Sequence, residues 1–156
     1  MKKALSLIAA IIFAISVSGC YIGSDGKLRR KEHKQAVQVF KYLKKEDISA
    51  LSKLFAERTD DQCDLEEEWE VFFDEVDGRI VSYDDLQVSV IERWDDHWKI
   101  TRALLQVTFR NVKTDEGVVY DEIVYDDYAI HSDPDCEGII VVSLGKDIVV
   151  VGGADL

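Results

Sequence analysis

Few residues in this sequence combine the types and the spacing that catalysis requires. The three histidines, His33, His97 and His131, are widely separated, so no two of them form a local metal-binding motif. We find no nucleophile motif and no glycine-rich loop that would hold a phosphate group. We therefore assign no catalytic residue, no metal site and no cofactor, and an enzymatic role is only a secondary hypothesis.

Two tryptophans and a histidine lie close together between two predicted strands. Trp94, His97 and Trp98 fall where the chain must turn. Large aromatic side chains at an exposed turn are typical of protein-interaction surfaces. The alternative is that both tryptophans fold back and cover the hydrophobic core, and the sequence leaves both interpretations open.

Tyrosines form a second group of candidate contact residues. Tyr83, Tyr120 and Tyr125 lie in or beside predicted strands, where they would line a cavity on one face of the sheet or pack at the rim of the core. We take Tyr83 and Tyr120, together with Trp94, His97 and Trp98, as candidate ligand or partner contacts.

The N-terminal segment has the composition of a secretory signal. Two lysines precede an apolar run at residues 4–17, which is short for a membrane span. The run ends in Val17-Ser18-Gly19-Cys20, which resembles the lipobox of bacterial lipoproteins. This resemblance implies that residues 1–19 are removed and that the Cys20 thiol carries a diacylglycerol, which anchors the protein at the extracytoplasmic face of the cell membrane.

Residues 20–32 follow the predicted cleavage site. This segment mixes glycine, serine and charged residues without apolar periodicity, so we expect a lipidated cysteine followed by a flexible tether. Its four cations lie near anionic lipid in one interpretation and are ordinary linker charges in the other. We expect a single domain over residues 33–156.

Two cysteines remain once Cys20 is assigned to the lipid. Cys63 and Cys136 would share a compartment in which disulfides form. A disulfide between them would close a long loop and stabilise the fold by about 4 kcal/mol in the chain-entropy model. The alternative is two separate thiols.

The predicted domain is strongly acidic. Residues 33–156 contain 13 lysines and arginines against 29 aspartates and glutamates. This charge repels phosphate backbones, so we expect no nucleic-acid partner. A cationic protein or a small cationic ligand is the partner that it favours, although acidic pairs at strand edges also serve to prevent aggregation.

The first part of the domain is predicted to be helical. Residues 34–45 place apolar side chains on one helical face, and Asp47 can cap a second helix that ends at the polar run 57–62. A third helix begins at Asp64 with a capping box, carries apolar residues at spacings of three and four, and stops at Gly78.

After Gly78 the apolar period becomes two, which predicts strands. The predicted segments are 86–90, 103–109, 118–130, 139–144 and 148–151, of which the last extends or adds to the sheet. Mixed polarity predicts a bulge near Asp121-Glu122 or Asp126-Asp127. Short connections imply an antiparallel sheet with the helices on one face, an α+β fold.

Three segments are similar to a family of uncharacterised small bacterial lipoproteins. They are VDGRIVSYD at 76–84, KTDEG at 113–117 with Tyr120, and Asp133-Pro134-Asp135 with Gly138-Ile139. The likeness covers residues 34–145. It implies a nuclear transport factor 2-like, or cystatin-like, cone in which three N-terminal helices pack on a curved antiparallel sheet of four to five strands. The family has no agreed active site, so no catalytic residue is transferred.

Together these features predict an extracytoplasmic lipoprotein that is held in the membrane through lipid on Cys20 and acts as a binding or interaction module. An immunity-type surface protein that blocks a basic toxin is an alternative hypothesis. A cone-type enzyme is a further one.

Overall fold

A computed structural model describes residues 24–145 and 148–153 of the chain. Four helices come first: α1 (Ser24–Leu43), α2 (Ile48–Ser52), α3 (Glu57–Gln62) and α4 (Leu65–Asp74). The strands are β1 (Ile80–Ser82), β2 (Asp85–Trp94), β3 (Ile100–Thr114), β4 (Val119–Ile130), β5 (Gly138–Leu144) and β6 (Val149–Gly152), with a 3-10 turn at Pro134–Cys136. The α+β class is confirmed, and within residues 24–145 and 148–153 there are four helices in place of the three predicted and six strands in place of four to five.

All strand pairs are antiparallel and form one open sheet. The order is β1–β3–β4–β5–β6, and β2 follows β1 along the same edge of β3. The helices cover one face of this sheet. The core between the two layers contains Trp69 and Phe72 from α4, Phe109 from β3 and Tyr125 from β4.

Helix α1 begins at Ser24, inside the segment predicted as a tether. Its buried positions include Glu32, Ala36, Val39 and Leu43, which are spaced by three and four residues and so form one helical face. The face therefore extends beyond the apolar stripe of the sequence. Because Glu32 is acidic, apolar periodicity alone does not show that the buried face continues to this position.

The second predicted helix is divided into α2 and α3. Residues 54–56 leave the helix and pair with the start of β5, where the Ala56 N–H donates to the Ile139 carbonyl at 2.8 Å and the Ile139 N–H donates to the Leu54 carbonyl at 3.0 Å. The polar run 57–62, predicted to end a helix, instead forms α3. This helix packs against the rest of the fold through Thr59, which is buried. Tertiary contacts therefore explain a helix that the polar sequence does not predict.

Helix α4 begins as its capping residues predict. The Asp64 carboxylate accepts a hydrogen bond from the Glu67 N–H at 3.2 Å, which satisfies one of the free amides of the first turn. The Trp69 ring packs edge-on against Phe72 and Phe55, with ring centroids 5.1 and 6.2 Å away. The contact with Phe55 joins α4 to the 54–56 segment.

Candidate binding site

Two carboxylates are buried between α1 and β4. The Glu32 side chain comes from α1 and the residue is 2% exposed, and Asp127 on β4 is 4% exposed. Asp127 continues the inward alternation of Ile123 and Tyr125. The β4–β5 register shifts at Asp126/Asp127, which confirms the second of the two predicted bulge positions.

Each carboxylate accepts a hydrogen bond from a neighbouring side chain. The Tyr125 hydroxyl donates to Oε1 of Glu32 at 2.6 Å, and the Gln35 amide donates to Oδ2 of Asp127. Glu32 and Gln35 are three residues apart on α1, so both project from the same side of the helix. Helix and strand therefore each contribute one acid and one neutral donor.

The local environment favours the neutral form of Glu32. Burial and the negative charge of Asp127 raise the pKa of Glu32 to about 7, although the Tyr125 hydrogen bond and the Lys31 ammonium act in the opposite direction. Near neutral pH this carboxyl group is therefore poised between its two protonation states. Groups of this kind cluster at functional sites.

Asp127 and Tyr125 are shifted in the same direction. Burial is the main reason that the pKa of Asp127 rises to about 6, with a further contribution from Glu137, while Gln35 and Lys31 lower it. Burial and the neighbouring Glu32 raise the pKa of Tyr125 well above its usual range. The phenol therefore keeps its proton and serves as a donor to Glu32.

Asp127 lies at the wall of a cleft of about 300 Å³. Its polar lining includes Lys31 and Gln35 of α1, Lys53, Asp127 and Glu137, and its apolar lining includes Phe55. The cleft is thus bounded by α1, the 54–56 segment and the adjoining ends of β4 and β5. A small ligand that enters it would meet Asp127 and Gln35 directly, with Glu32 behind them.

A larger hollow of about 610 Å³ lies between α2 and the α3–α4 connection. Its acidic lining consists of Asp60, Asp61, Asp64 and Glu66, all of which are exposed. Exposed carboxylates retain their hydration. The hollow is therefore a weaker candidate for a ligand site than the cleft beside the buried pair. Among the described residues, no group of histidine, cysteine, aspartate and glutamate side chains could hold a metal ion.

The predicted aromatic segment forms the tip of the β2–β3 hairpin, and its side chains point into solvent. Trp98 is 84% exposed and Trp94 is 46% exposed, so the interpretation in which both cover the core is wrong. His97 is also exposed. The Asp95 carboxylate accepts hydrogen bonds from the N–H groups of His97 and Lys99, both at 2.9 Å, and thereby fixes the turn.

The two predicted tyrosines pack at the rim of the core and do not line the cleft. The Tyr83 ring lies 4.5 Å edge-on from Phe40 and 5.1 Å from Phe109. The Tyr120 hydroxyl accepts a hydrogen bond from the Asp77 N–H at 2.8 Å, which fastens the segment that follows α4. Neither tyrosine contacts Glu32 or Asp127 in the described hydrogen bonds or ring contacts.

Cys63 and Cys136 are free thiols in the structure, which corrects the disulfide prediction in favour of its alternative. Cys63 ends α3, where its N–H donates to the Thr59 carbonyl, and Cys136 is buried in the 3-10 turn. Burial, with a contribution from Glu68, raises the pKa of the Cys63 thiol. The predicted lipidation site, Cys20, lies outside the described residues.

Glu32, Gln35 and Asp127 were not identified from the sequence. The composition of residues 20–32 places Glu32 in the tether, and the polarity of β4 indicates Asp127 only as part of a bulge. A usable signal existed in the spacing, since Glu32 precedes Ala36 by four residues and Asp127 follows Tyr125 by two. Such spacing places an acid on a helical or strand face that is otherwise apolar.

The fold and the site together define an acidic α+β protein with a helical layer, an open antiparallel sheet and a carboxylate-lined cleft. A family model described as a domain of unknown function, DUF5104, matches residues 38–147, and the protein belongs to this family. We find no matching curated protein and no matching solved structure. None of the described helices is long and apolar enough to cross a membrane.

Proposed function

We propose that this protein is a lipid-anchored binding module at the extracytoplasmic face of the cell membrane, and that its cleft takes a small cationic ligand or the basic side chain of a partner. The observation that carries this proposal is the pair Glu32 and Asp127, both at least 96% buried, of which Asp127 lines the cleft and Glu32 lies behind it. Two buried acids in one site repel each other when both are ionised. A bound cation removes that repulsion.

The proposed anchor depends on the lipobox resemblance of Val17-Ser18-Gly19-Cys20. Two acyl chains on Cys20 suffice for stable attachment. We also propose that the fold is of the nuclear transport factor 2-like type, which the helical layer on one face of the antiparallel sheet supports.

Ligand binding can be tested with primary amines such as cadaverine and agmatine, using residues 20–156 with Cys20→Ser, which carry neither the proposed lipid nor the apolar segment 4–17. Calorimetric titration should give binding that is about tenfold weaker in Glu32→Gln and in Asp127→Asn, because each change removes a negative charge from the cleft wall or from directly behind it. Glutarate, a dianion of similar size to cadaverine, should not bind. Binding should also release protons near neutral pH, which titrations in buffers of different ionisation enthalpy will measure.

The matched controls are Glu70→Gln and Asp121→Asn, which make the same chemical changes at exposed positions of α4 and β4. They should bind amines like the parent chain. If no amine binds at millimolar concentration, or if all four variants bind equally, the cleft is not the ligand site. The anchor is tested separately, because intact-mass analysis of detergent-extracted protein should give a chain that starts at Cys20 and carries a diacylglycerol.

A further inference from the structure

The β2–β3 hairpin and helix α1 run side by side towards the same end of the molecule. The Phe40 ring contacts Tyr83, which precedes β2, and the Arg29 guanidinium donates to the Val88 carbonyl within β2. The two contacts are 11 positions apart along α1 and five positions apart along residues 83–88, and each distance is about 16–17 Å. Helix α1 is therefore antiparallel to β2, and its N-terminus points towards the hairpin tip.

The proposed lipidation site can reach the level of the tip. From Val88 to Trp94, β2 advances about 20 Å, whereas α1 advances about 7.5 Å from Arg29 to Ser24. The difference of about 12 Å is within the reach of the four residue steps from Ser24 to Cys20, since an extended chain spans at most about 14 Å over that length. The length of this connection therefore allows the hairpin tip to contact the bilayer that holds the lipid.

The tip projects beyond the rest of the sheet. Strand β4 pairs with β3 only as far as Ala103, which lies opposite Ile130, whereas β2 pairs with β3 up to Ile100, opposite Trp94. The hairpin therefore extends about 10 Å past the last β3–β4 pair before its turn begins. Trp98, at the end of this projection, has a backbone φ of 60°, a conformation that is costly for a bulky residue and that glycine or asparagine adopts more easily.

Charge is segregated along the same axis. Residues 24–34 contain five lysines and arginines against two acids, and residues 91–102 contain three of each. The remaining residues after Cys20 contain only nine lysines and arginines against 26 acids. The hairpin end therefore has a net positive charge in a protein that is otherwise strongly negative, and of the three hairpin acids Asp95 is occupied by the turn amides.

We propose that the hairpin tip is a second membrane contact, in which Trp94 and Trp98 insert at the headgroup level of an anionic bilayer while Arg93, Lys99 and the basic start of α1 contact lipid phosphates. Tryptophan side chains favour the membrane interface because they combine an apolar ring with a polar N–H. Basic residues add attraction to anionic lipid. The inference rests on the proposed anchor at Cys20, and it implies a fixed orientation in which the acidic body faces away from the membrane.

The first test uses the full lipidated chain on vesicles of phosphatidylglycerol and phosphatidylcholine, with and without bromine on the acyl chains. Brominated lipid should quench the emission of Trp94 and Trp98, whereas Trp69 is fully buried in the core and should remain as the unquenched background. The variant that combines Trp94→Ser with Trp98→Ser should lose the quenching and keep only the Trp69 emission. Emission that brominated lipid leaves unchanged in vesicle-bound protein would show a tip free in water, available to a protein partner, and would overturn the proposal.

The second test separates the hairpin from the anchor by using residues 20–156 with Cys20→Ser, which lack both the lipid and the apolar segment 4–17. Its partition onto anionic vesicles should fall about tenfold or more on adding Trp94→Ser with Trp98→Ser. Adding Arg93→Gln with Lys99→Gln should also lower it about tenfold on anionic vesicles, but not on phosphatidylcholine alone. Val71→Ser, which removes an exposed apolar side chain from α4, is the matched control and should have no effect.

The outcomes distinguish the two proposals. If lipidation is not found but the Cys20→Ser chain binds anionic vesicles in a tryptophan-dependent way, the anchor fails and the hairpin contact holds. If lipidation is found but the tryptophan changes alter neither quenching nor partition, the hairpin contact alone is overturned.

Discussion

At the level of single residues, the unusual feature of this protein is the position of Glu32. Its carboxyl group lies inside the protein beside a second acid, Asp127, and its hydrogen-bond donor is a phenol and not a cation. Burial penalises the ionised form of such a group, and a nearby negative charge adds to the penalty. The folded state therefore prefers to hold a proton at this site that the unfolded chain would release.

This preference makes stability depend on pH with a defined sign. The pKa of Glu32 rises from 4.5 to about 7 on folding, and that of Asp127 from 3.8 to about 6. Between these values the folded state binds more protons, so the free energy of unfolding decreases as pH rises from about 4 to about 7. Glu32→Gln keeps an oxygen that can accept from Tyr125 and removes the ionisation, so it should flatten this decrease.

The measurement is urea unfolding of the wild type and of Glu32→Gln at pH 5, 6.5 and 8. The variant should gain stability relative to the wild type as pH rises, with about 1.4 kcal/mol for each unit of pKa shift that it abolishes. The exposed-site variant Glu70→Gln should follow the wild type. Parallel pH profiles for wild type and Glu32→Gln would mean that Glu32 titrates normally.

At the level of elements, the cleft depends on the close approach of the 54–56 segment to β5. Gly138 begins β5 with φ +127°, and a Cβ there would lie 2.8 Å from the Ala56 nitrogen and 3.1 Å from the Leu54 carbonyl oxygen. These neighbours are backbone atoms that also pair with β5, so they cannot move aside without loss of hydrogen bonds. Only glycine fits both the backbone conformation and the space.

Gly138→Ala should therefore lower the free energy of unfolding by about 3 kcal/mol or more, since it combines a steric clash with an unfavourable φ. The matched control is Gly117→Ala in the β3–β4 turn, where φ is +84° and no atom lies within 4 Å of the added Cβ. That change should cost only about 1 kcal/mol, from backbone strain alone. Equal losses in the two variants would show that the close approach at Gly138 contributes little.

At the level of the whole molecule, the described part of the fold has no disulfide between its helical and strand layers. Cys63 follows α3 and Cys136 precedes β5, and both are free thiols. Stability must then come from the continuous core between the helices and the inner face of the sheet. A disulfide in the same positions would have constrained the unfolded chain as well.

Reduction should therefore leave the melting temperature of the Cys20→Ser chain unchanged. Thiol labelling should modify both Cys63 and Cys136 in urea without any reductant, and the buried Cys136 should react slowly in the native protein. Non-reducing peptide mapping is the decisive measurement, because a linked Cys63–Cys136 peptide would restore the disulfide.

What the sequence determined on its own is local. The Asp64 cap, the change of apolar period after Gly78 and the bulge at Asp126-Asp127 were confirmed because each depends on residues within one turn or one strand. These features suffice for the α+β class. The lipobox is equally local, and lipidation of Cys20 stays a prediction because it lies outside the described residues.

Tertiary structure decided the rest. Tyr125 and Glu32 are 93 residues apart in sequence, and only the packing of α1 on β4 brings them within hydrogen-bond distance. The exposure of Trp94 and Trp98 likewise depends on how far β4 extends along β3, which no property of the hairpin itself specifies. Periodicity records which face of an element is buried, whereas the register of the sheet and the position of a helix upon it determine which side chains meet.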